Sequence, residues 1–394
     1  MQAAKKLASK NLIEVALLNV RRRFLDLTSR QFAPDSFEHD LVKYRSKGIF
    51  DGTVTGGKNL RALLALESFQ ALNPEAETAE VHRMTECASL LEMIQGFYLI
   101  VDDIMDGAET RRGKPCWYKV PGVGLGAVND ALLLDVFVED IIRELYPGHP
   151  QVDRLCDAYR KSKRITLLGQ LLDTASVGDV NAFTWDRYRI LSIKIRKSRN
   201  HVLAHSRYEQ LVAFKTSHYS YFHPMEMAML VSDRLDNHPI LRQLAYRIGF
   251  LFQSQDDVLD VFGDPNVTGK IGTDIQDGKC TWISVRAVQK LHGKPELNEF
   301  KVNFFWYFYA FIEHGSAEEN VLYIFQNHYG KTEMESVRRI KDLLEQLKLK
   351  EEFINFEKRY SDKVKADIDR VPERLSAMKP VLHEALNKLI EREK

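Results

Sequence analysis

Residues 131–142 read ALLLDVFVEDII, and their pattern indicates the fold class. Apolar side chains recur there at intervals of three and four residues, the period of an amphipathic α-helix. Segments rich in Leu, Ala, Lys and Glu repeat this period along the 394 residues, while Gly (21) and Pro (12) are sparse. The pattern predicts an all-α protein, and a hydrophobic content of 44% is ample for a core.

Overall composition excludes several classes of protein. The chain has 56 Lys and Arg against 55 Asp and Glu, whereas proteins that bind a nucleic-acid backbone carry a strong basic excess, so we expect no nucleic-acid partner. No apolar run has the length of a transmembrane helix, so we expect no membrane span. The cysteines have neither CxxC nor Cys/His spacing, which argues against zinc and disulfides. They are Cys87, Cys116, Cys156 and Cys280.

An acidic pattern occurs twice, each time after an apolar stretch. The first copy is DDIMD at residues 102–106, and the second is DDVLD at residues 256–260. Residues four apart share a helix face, so the first and last aspartates of each copy point the same way. A single copy on a solvated helix would be commonplace. Two copies favour Mg²⁺, an ion that takes oxygen ligands and completes its shell with phosphate oxygens, so the implied substrate is a diphosphate.

Basic residues lie near both acidic motifs. GGKNLR at residues 56–61 opens a predicted helix, where glycines allow close backbone approach and free N–H groups favour an anion. Lys58 and Arg61 therefore form a candidate phosphate clamp. Arg111 and Arg112 follow the first motif, and arginine suits bidentate phosphate contacts. Each cation taken alone would more often be a solvated surface charge. The candidate cations after the second motif are Lys270 and Lys279.

Helical spacing groups several other side chains with the motifs. Gln95 and Tyr98 fall in one stripe with Asp102, and Gln253 shares a stripe with Asp256. An aromatic residue at such spacing often only fills space in a core. Lys215 and Thr216 occupy one turn of another predicted helix.

These segments together resemble the trans-isoprenyl diphosphate synthases, most closely the animal, insect-like farnesyl diphosphate synthases. The similarity covers most of residues 40–394. It implies an all-α, single-domain helical bundle of the isoprenoid-synthase type around a deep central cavity, usually as a homodimer. It is carried by FYLIVDDIMD at residues 97–106, TRRG at 110–113, GQLLD at 169–173, KT at 215–216, and the run from Phe252 to Lys279.

The resemblance implies a Mg²⁺-dependent, head-to-tail condensation of isopentenyl diphosphate with dimethylallyl or geranyl diphosphate to a C15 product. It assigns about three Mg²⁺ ions to Asp102, Asp106 and Asp256. The allylic diphosphate is assigned to Arg111, Lys215, Thr216, Gln253, Lys270 and Lys279; of these, Lys215 (through its carbonyl), Thr216 and Gln253 face positive charge as catalytic residues. Isopentenyl diphosphate is assigned to Lys58, Arg61, Gln95 and Arg112. The floor that limits chain length is assigned to Phe97 and Tyr98, with Tyr98 better placed because it lies one turn from Asp102.

Three departures from the family keep other functions open. Relatives often have Asn where this chain has Leu60 and an acidic residue where it has Leu168, and they end in a strongly basic tail where this chain ends in IEREK. One alternative is a terpene synthase derived from this family, which ionises and cyclises a prenyl diphosphate such as farnesyl diphosphate. Another is a non-catalytic partner subunit, but such a subunit would be expected to lose aspartates that this chain keeps.

The resemblance also implies the domain organisation, and the charges of the N-terminus bear on location. We expect residues 1–40 to be an N-terminal helix or a possible presequence and residues 41–394 to be the synthase domain. The basic N-terminus is interrupted by Glu14 and Asp26, which favours a structural helix and a cytoplasmic enzyme; a mitochondrial presequence is the alternative. The resemblance implies that two segments, near residues 187–206 and 291–315, are insertions.

Overall fold

A computed structural model describes residues 2–177, 207–234, 238–268, 272–291 and 328–391. The segments predicted as insertions lie outside these residues, apart from Leu291, and so does Lys270. The prediction of an all-α fold is confirmed, since the regular elements of the described chain are helices apart from one small hairpin. In that hairpin strand β1 pairs antiparallel with strand β2, and each strand has two residues.

Fourteen α-helices are numbered here along the described chain. Their bounds are α1 Gln2–Ser29, α2 Phe37–Ile49, α3 Leu60–Leu72, α4 Thr78–Met105, α5 Ala127–Leu145, α6 Val152–Thr174, α7 Arg207–Val212, α8 His223–Val231, α9 His238–Phe262, α10 Pro265–Thr268, α11 Trp282–Leu291, α12 Met334–Gln346, α13 Leu349–Asp369 and α14 Lys379–Ile390. The strands are β1 Thr110–Arg111 and β2 Lys114–Pro115. Two π-helices span Phe50–Val54 and Ala213–Phe222, and 3₁₀ turns span Trp117–Lys119, Gly124–Gly126 and Glu373–Met378.

The chain divides into two compact units, each taken here in its described residues. Unit 1 comprises Met1–Lys163, Tyr219–Ala245 and Asp367–Asn387, and unit 2 comprises Arg164–His218, Tyr246–Ala366 and Lys388–Lys394. The points of division fall inside helices, not in glycine- or proline-rich linkers.

Helix α4 is the central helix of unit 1. Glu77 and Glu80 form a reciprocal capping box at its start, which satisfies backbone donors that a helix otherwise leaves open. The helix is long and apolar enough to cross a membrane, but 78% of its apolar stretch is buried inside the protein. Helix α1 contributes Ile13, Val20 and Phe24 to the same core, all three without exposure to solvent.

The core of unit 2 is rich in aromatic side chains. Trp282 of α11 lies edge-on to Phe353 of α13, with ring centroids 5.0 Å apart, and Tyr208 of α7 contacts Phe250 of α9 at 5.6 Å. All four cysteines of the chain are buried and unbridged, Cys87, Cys116 and Cys156 in unit 1 and Cys280 in unit 2.

Candidate active site

The first acidic motif lies at the C-terminal end of α4. Asp106 caps the helix, and its backbone N–H donates to the carbonyl of Asp102 at 2.8 Å, so the two residues are one turn apart as predicted. Both are partly exposed. Asp103, by contrast, is buried and accepts a hydrogen bond from Arg111 Nε at 2.9 Å. The motif thus presents two accessible carboxylates and uses the third internally.

Arg111 is held by the motif itself. Its guanidinium makes a second, short contact with Asp103 and lies 3.8 Å from Asp102 Oδ2. Burial lowers the pKa of Arg111, but its hydrogen bond to Asp103 and the charges of both aspartates outweigh burial, and the net shift is upward. A permanent positive charge therefore sits beside the accessible Asp102.

A β-hairpin positions Arg112. The turn residues Arg112 and Gly113 have left-handed φ values of 55° and 72°, as in a tight two-residue hairpin turn. Arg112 Nη1 donates to the carbonyl of Thr55 at 2.9 Å, and a Cβ on Gly57 would lie 2.8 Å from the guanidinium. Gly57 therefore allows a close approach, as the sequence predicted, but the group that approaches in this structure is Arg112.

Arg61 and Lys58, the two predicted clamp residues, have different surroundings. Arg61 Nη2 donates to Tyr219 OH and to Ser220 Oγ, both at 2.9 Å, and the guanidinium lies 4.6 Å from the centroid of the Tyr219 ring. Its Nε is buried and has no hydrogen-bond partner in the described part of the chain. Lys58 is exposed, just before the start of α3. Arg61 is thus held in place with one donor still to be satisfied.

Glu92 on α4 is a functional candidate that sequence reasoning missed. It is 2% exposed, and its Oε1 accepts a hydrogen bond from the amide of Ala62 at 3.3 Å. Burial raises the pKa of Glu92, while the charges of Arg61 and Arg112 act against that rise. The prediction of free N–H groups at the start of α3 was therefore wrong for Ala62, because a carboxylate of the protein already binds that amide. The signal was a lone charge in the stretch between Glu86 and Asp102.

Gln95 and the predicted floor residues lie on the same helix. Gln95 is buried, and its Oε1 finds no hydrogen-bond partner among the described residues. The ring centroids of Phe97 and Tyr98 are 5.0 Å apart, and Tyr98 also meets Tyr219 edge-on at 5.0 Å. Phe97 is buried and Tyr98 half-buried.

In unit 2, Lys215 lies in the π-helix Ala213–Phe222, a rare conformation that is frequent at functional sites. Its Nζ pairs with Asp173 Oδ2 at 2.5 Å. A Cβ on Gly169 would lie only 2.2 Å from the backbone nitrogen of Lys215. The segment GQLLD thus has two roles: its glycine admits the backbone of the π-helix, and its aspartate neutralises the lysine.

Thr216 starts a hydrogen-bond chain in unit 2. Its hydroxyl donates to Gln253 Oε1 at 2.6 Å, and Gln253 Nε2 donates to Asp257 Oδ1 at 2.8 Å. Asp257 also accepts from Tyr208 OH at 2.5 Å and from the amide of Trp282 at 2.8 Å. Burial raises the pKa of Asp257 to about 6 despite these donors. These hydrogen bonds fix the orientation of the Gln253 amide.

The first and last aspartates of the second acidic motif have different surroundings. Asp260 Oδ1 accepts the amide of Asp274 at 2.9 Å, and a Cβ on Gly272 would lie 1.8 Å from the Asp260 carbonyl oxygen. Both Asp256 and Asp260 are partly exposed, but Asp260 binds the backbone of the segment that follows it. Lys279 ends that segment, with Nζ 4.0 Å from Asp274 Oδ1 and from Asp277 Oδ2.

The residues present fit Mg²⁺ as a partner of a phosphate ligand. In the described ranges, no three His, Cys, Asp or Glu side chains form a group able to hold a metal ion. Mg²⁺ at phosphate sites is usually bound by one or two carboxylates, with waters and phosphate oxygens completing its octahedron. The partly exposed pair Asp102 and Asp106 suits such a site, and Asp256 offers a similar carboxylate.

Known proteins are similar to this chain in sequence and in fold. The family model described as Polyprenyl synthetase matches residues 45–302. Farnesyl pyrophosphate synthase of Rattus norvegicus is 33% identical over 89% of this chain and 88% of its own. Farnesyl pyrophosphate synthase 1 of Cannabis sativa is 30% identical over 96% and 100%. The solved structure of T. brucei farnesyl diphosphate synthase complexed with bisphosphonate BPH-721 is 27% identical, with a TM-score of 0.79 over 98% of this chain and 100% of that one.

The fold and these relatives define a prenyltransferase enzyme. The chain belongs to the polyprenyl synthetase family, which confirms the resemblance to trans-isoprenyl diphosphate synthases drawn from its motifs.

Proposed function

We propose that the protein is a prenyltransferase of the farnesyl diphosphate synthase type, which joins isopentenyl diphosphate to dimethylallyl or geranyl diphosphate and releases a C15 diphosphate. One observation carries the proposal: three arginines, Arg61, Arg111 and Arg112, lie in one unit with the accessible carboxylates of Asp102 and Asp106. Carboxylates that suit Mg²⁺ and arginines that suit phosphate oxygens thus occur in the same unit.

The metal ligands in this proposal are Asp102, Asp106 and Asp256, for about three Mg²⁺ ions. Bound Mg²⁺ would supply electrophilic assistance to the departure of the allylic diphosphate. Arg111, Lys215, Lys270 and Lys279 would be its cationic neighbours. Arg111 is already placed beside Asp102, and Lys215 is held by Asp173.

Thr216 and Gln253 suit a site for positive charge. The Thr216 hydroxyl proton is directed to Gln253, and the Gln253 amide protons include one directed to Asp257. The oxygen of Thr216 therefore keeps acceptor capacity while its donor is used inside the protein. With the Lys215 carbonyl, it would present negative partial charge to an allylic carbocation.

Isopentenyl diphosphate would bind through Lys58, Arg61, Gln95 and Arg112. Arg61 Nε is the buried donor without a partner among the described residues, and a phosphate oxygen would satisfy it. The buried Glu92 lies within electrostatic range of both Arg61 and Arg112, whose charges act against the rise of its pKa that burial causes. Hydrogen bonds within the protein thus hold Arg61 and Arg112 in place, while Lys58 is exposed.

A second candidate is a terpene synthase that ionises farnesyl diphosphate without condensing it. Leu60, which stands where the family resemblance leads one to expect Asn, is 40% exposed at the start of α3 between Lys58 and Arg61. An exposed apolar side chain contributes no hydrogen bond to a diphosphate at that position.

Assembly and location belong to the same proposal. Val128, Leu132 and Val136 recur every four residues on α5 and are 44%, 49% and 60% exposed, which makes an apolar stripe on one helix face. We assign this stripe to a second copy of the chain in a homodimer. Residues 2–29 form a helix whose side chains Ile13, Val20 and Phe24 lie in the core of unit 1, which supports a structural role and a cytoplasmic enzyme. A relative from Arabidopsis thaliana is named mitochondrial, so import is the alternative.

One assay separates the candidates. Purified protein with Mg²⁺ is incubated with dimethylallyl and isopentenyl diphosphates, or with farnesyl diphosphate alone, and products are identified by mass spectrometry before and after phosphatase treatment. Farnesyl diphosphate from the first mixture supports the synthase. Hydrocarbons or alcohols formed from farnesyl diphosphate before phosphatase treatment identify the terpene synthase, and no turnover in either mixture contradicts both.

A further inference from the structure

A buried carboxylate in unit 1 binds side chains from two distant segments of the chain. Asp130, in the first turn of α5, is 2% exposed. Arg45 of α2 donates to it from Nε at 3.0 Å and from Nη2 at 2.6 Å, and Trp117 Nε1 donates to it at 2.7 Å. The Arg45 guanidinium also lies 5.5 Å from the centroid of the Trp117 ring, within the range of a cation–π contact. Arg45, Trp117 and Asp130, called the Trp117 anchor, are thus linked to one another in pairs.

The Trp117 ring packs against a stretch of backbone where two glycines leave room for it. A Cβ on Gly52 would lie 2.8 Å from the ring carbon Cζ3, and a Cβ on Gly48 would lie 3.3 Å from Cη2. Gly48 is in the last turn of α2, and Gly52 is in the π-helix Phe50–Val54 that follows directly. A Cβ at Gly52 would displace the ring, because a close-packed contact has no space for another carbon. The indole therefore holds the junction between α2 and the π-helix.

This junction and the hairpin of β1 and β2 lead to the two parts of the proposed isopentenyl diphosphate site. The π-helix is followed by the loop that contains Lys58 and then by Arg61 in the first turn of α3. Trp117 follows strand β2 of the hairpin, and Arg112 is in the hairpin turn. Arg112 Nη1 donates to the carbonyl of Thr55, directly after the π-helix, at 2.9 Å. The hairpin region thus contacts this part of the chain twice, once through Arg112 and once through Trp117.

We propose that Arg45, Trp117 and Asp130 are positioning residues for isopentenyl diphosphate, which hold the hairpin with Arg112 against the segment that leads to Lys58 and Arg61. The inference rests on the proposed prenyltransferase function and adds three residues to it. None of the three is assigned to either diphosphate. Their contribution is to keep the contacts of one ligand at a fixed spacing, and a ligand-binding group that moves by about 1 Å can lose much of its effect.

The effect should be confined to one substrate, because the allylic side has its own support. Arg111 lies on the same hairpin, but Asp103 of α4 accepts its Nε–H at 2.9 Å. A hairpin that separates from the π-helix would move Arg112 relative to Lys58 and Arg61, whereas Arg111 keeps its partner on α4. Loss of the Trp117 anchor should therefore weaken the binding of isopentenyl diphosphate and leave that of the allylic diphosphate almost unchanged.

Initial rates of purified variants, with each substrate varied in turn, would test this selectivity. Trp117→Leu should raise KM for isopentenyl diphosphate at least about tenfold and change KM for dimethylallyl diphosphate less than about twofold, since only one ligand loses positioned contacts. Trp117→Phe keeps an aromatic ring beside Gly52 but lacks the N–H donor to Asp130, so its KM for isopentenyl diphosphate should rise less. Gly52→Ala acts on the ring from the opposite side and should raise the same constant.

Arg45→Met has a matched control on α6. Arg160 also binds a carboxylate of α5 through two nitrogen atoms, since it donates to Glu139 at 2.9 and 2.6 Å. Arg45→Met should raise KM for isopentenyl diphosphate, and Arg160→Met should change neither KM. Thermal unfolding of every variant shows which are folded. If Trp117→Leu does not fold, Trp117→Phe and Arg45→Met provide the test, because each leaves Asp130 one of its two donor side chains.

The outcomes separate this inference from the proposed function. If the wild-type protein forms no C15 diphosphate from dimethylallyl and isopentenyl diphosphates, the proposed function fails and the inference falls with it. If the wild type forms C15 but the folded variants keep its KM for isopentenyl diphosphate, the function stands and the positioning role is wrong. Equal increases in both KM values, or the same increase with Arg160→Met, would show that the Trp117 anchor serves only the stability of unit 1.

Discussion

At the scale of single residues, each acidic motif divides its aspartates between two roles. The second aspartate of each copy, Asp103 or Asp257, is buried and hydrogen-bonded to its own unit. The first, Asp102 or Asp256, is partly exposed. The partly exposed aspartates are the proposed metal ligands, and the buried aspartates bind residues of their own unit.

Asp102→Ala and Asp256→Ala should each lower kcat by about 10²- to 10³-fold at saturating Mg²⁺, or about 3–4 kcal/mol of barrier, because each removes a proposed metal ligand. Steady-state kinetics at several Mg²⁺ concentrations would measure the loss. Asp342→Ala, which replaces an exposed aspartate on α12, is the control and should retain full activity. Near-normal turnover by either motif variant would contradict the metal assignment.

Arg61→Ala should raise KM for isopentenyl diphosphate at least about tenfold and change KM for the allylic substrate little, since it removes charge-assisted contacts to one diphosphate only. Initial rates with each substrate varied in turn give both constants. Tyr219→Phe, which removes one acceptor of Arg61 but keeps the ring, should show a smaller effect in the same direction. Equal changes in both KM values would show that Arg61 does not serve the isopentenyl side.

Sequence reasoning proposed the site residues, but it could not predict how their hydrogen bonds are distributed. Helical spacing placed Asp102 and Asp106 on one face, and the structure agrees. The same spacing could not distinguish Asp256 from Asp260, because the second is bound by the amide of Asp274 in a loop folded against it. Sequence reasoning did not identify Glu92, because its partners lie in distant segments of the chain. These partners are the amide of Ala62 at the start of α3 and the guanidinium groups of Arg61 and Arg112.

At the scale of secondary structure elements, the contact between α6 and the π-helix Ala213–Phe222 depends on the absence of one side chain. Gly→Ala in a helix interior usually stabilises by about 1 kcal/mol. Gly169→Ala should instead destabilise by about 3 kcal/mol, because its Cβ would lie 2.2 Å from Lys215 N. Urea unfolding would measure the change, and Leu171→Ala, at an exposed position of α6, should stay within about 0.5 kcal/mol.

Activity should fall with Gly169→Ala even below its unfolding temperature. Displacement of the π-helix moves the Lys215 carbonyl and the Thr216 hydroxyl, both proposed to face the carbocation. A variant that is destabilised but fully active at low temperature would separate the helix contact from catalysis. The helical period of the sequence predicts helices, but it does not reveal a π-helix, since this conformation arises from tertiary contacts such as that with Gly169.

At the scale of the whole molecule, the composition and periodicity correctly predicted an all-α protein, and the motifs correctly predicted the family. The short hairpin of β1 and β2 was not predicted. Its turn requires a left-handed conformation at Arg112, which is uncommon for a residue other than glycine. The Arg112 side chain donates a hydrogen bond to the Thr55 carbonyl, and local sequence propensity cannot predict such a contact between distant segments.

The proposed homodimer is testable at the same scale. Leu132→Arg should shift the protein from dimer to monomer in light scattering coupled to size-exclusion chromatography, because a charge in an apolar interface is unpaired and desolvated. Leu41→Arg is a matched control on α2, where Leu41 is 51% exposed beside the exposed Phe37 and Tyr44. A dimer unaffected by Leu132→Arg, or one lost equally in both variants, would contradict the assignment of the α5 stripe.

Alkylation of the four buried cysteines would report transient opening of the folded protein. A thiol reagent reacts with the thiolate, and burial raises the pKa of Cys116 to about 12, so modification at neutral pH requires the thiol to reach solvent first. Peptide mapping after brief alkylation would assign each event to unit 1 through Cys87, Cys116 and Cys156, or to unit 2 through Cys280. Protection of Cys280 by a substrate analogue, with unchanged alkylation of the other three, would show which unit the ligand rigidifies.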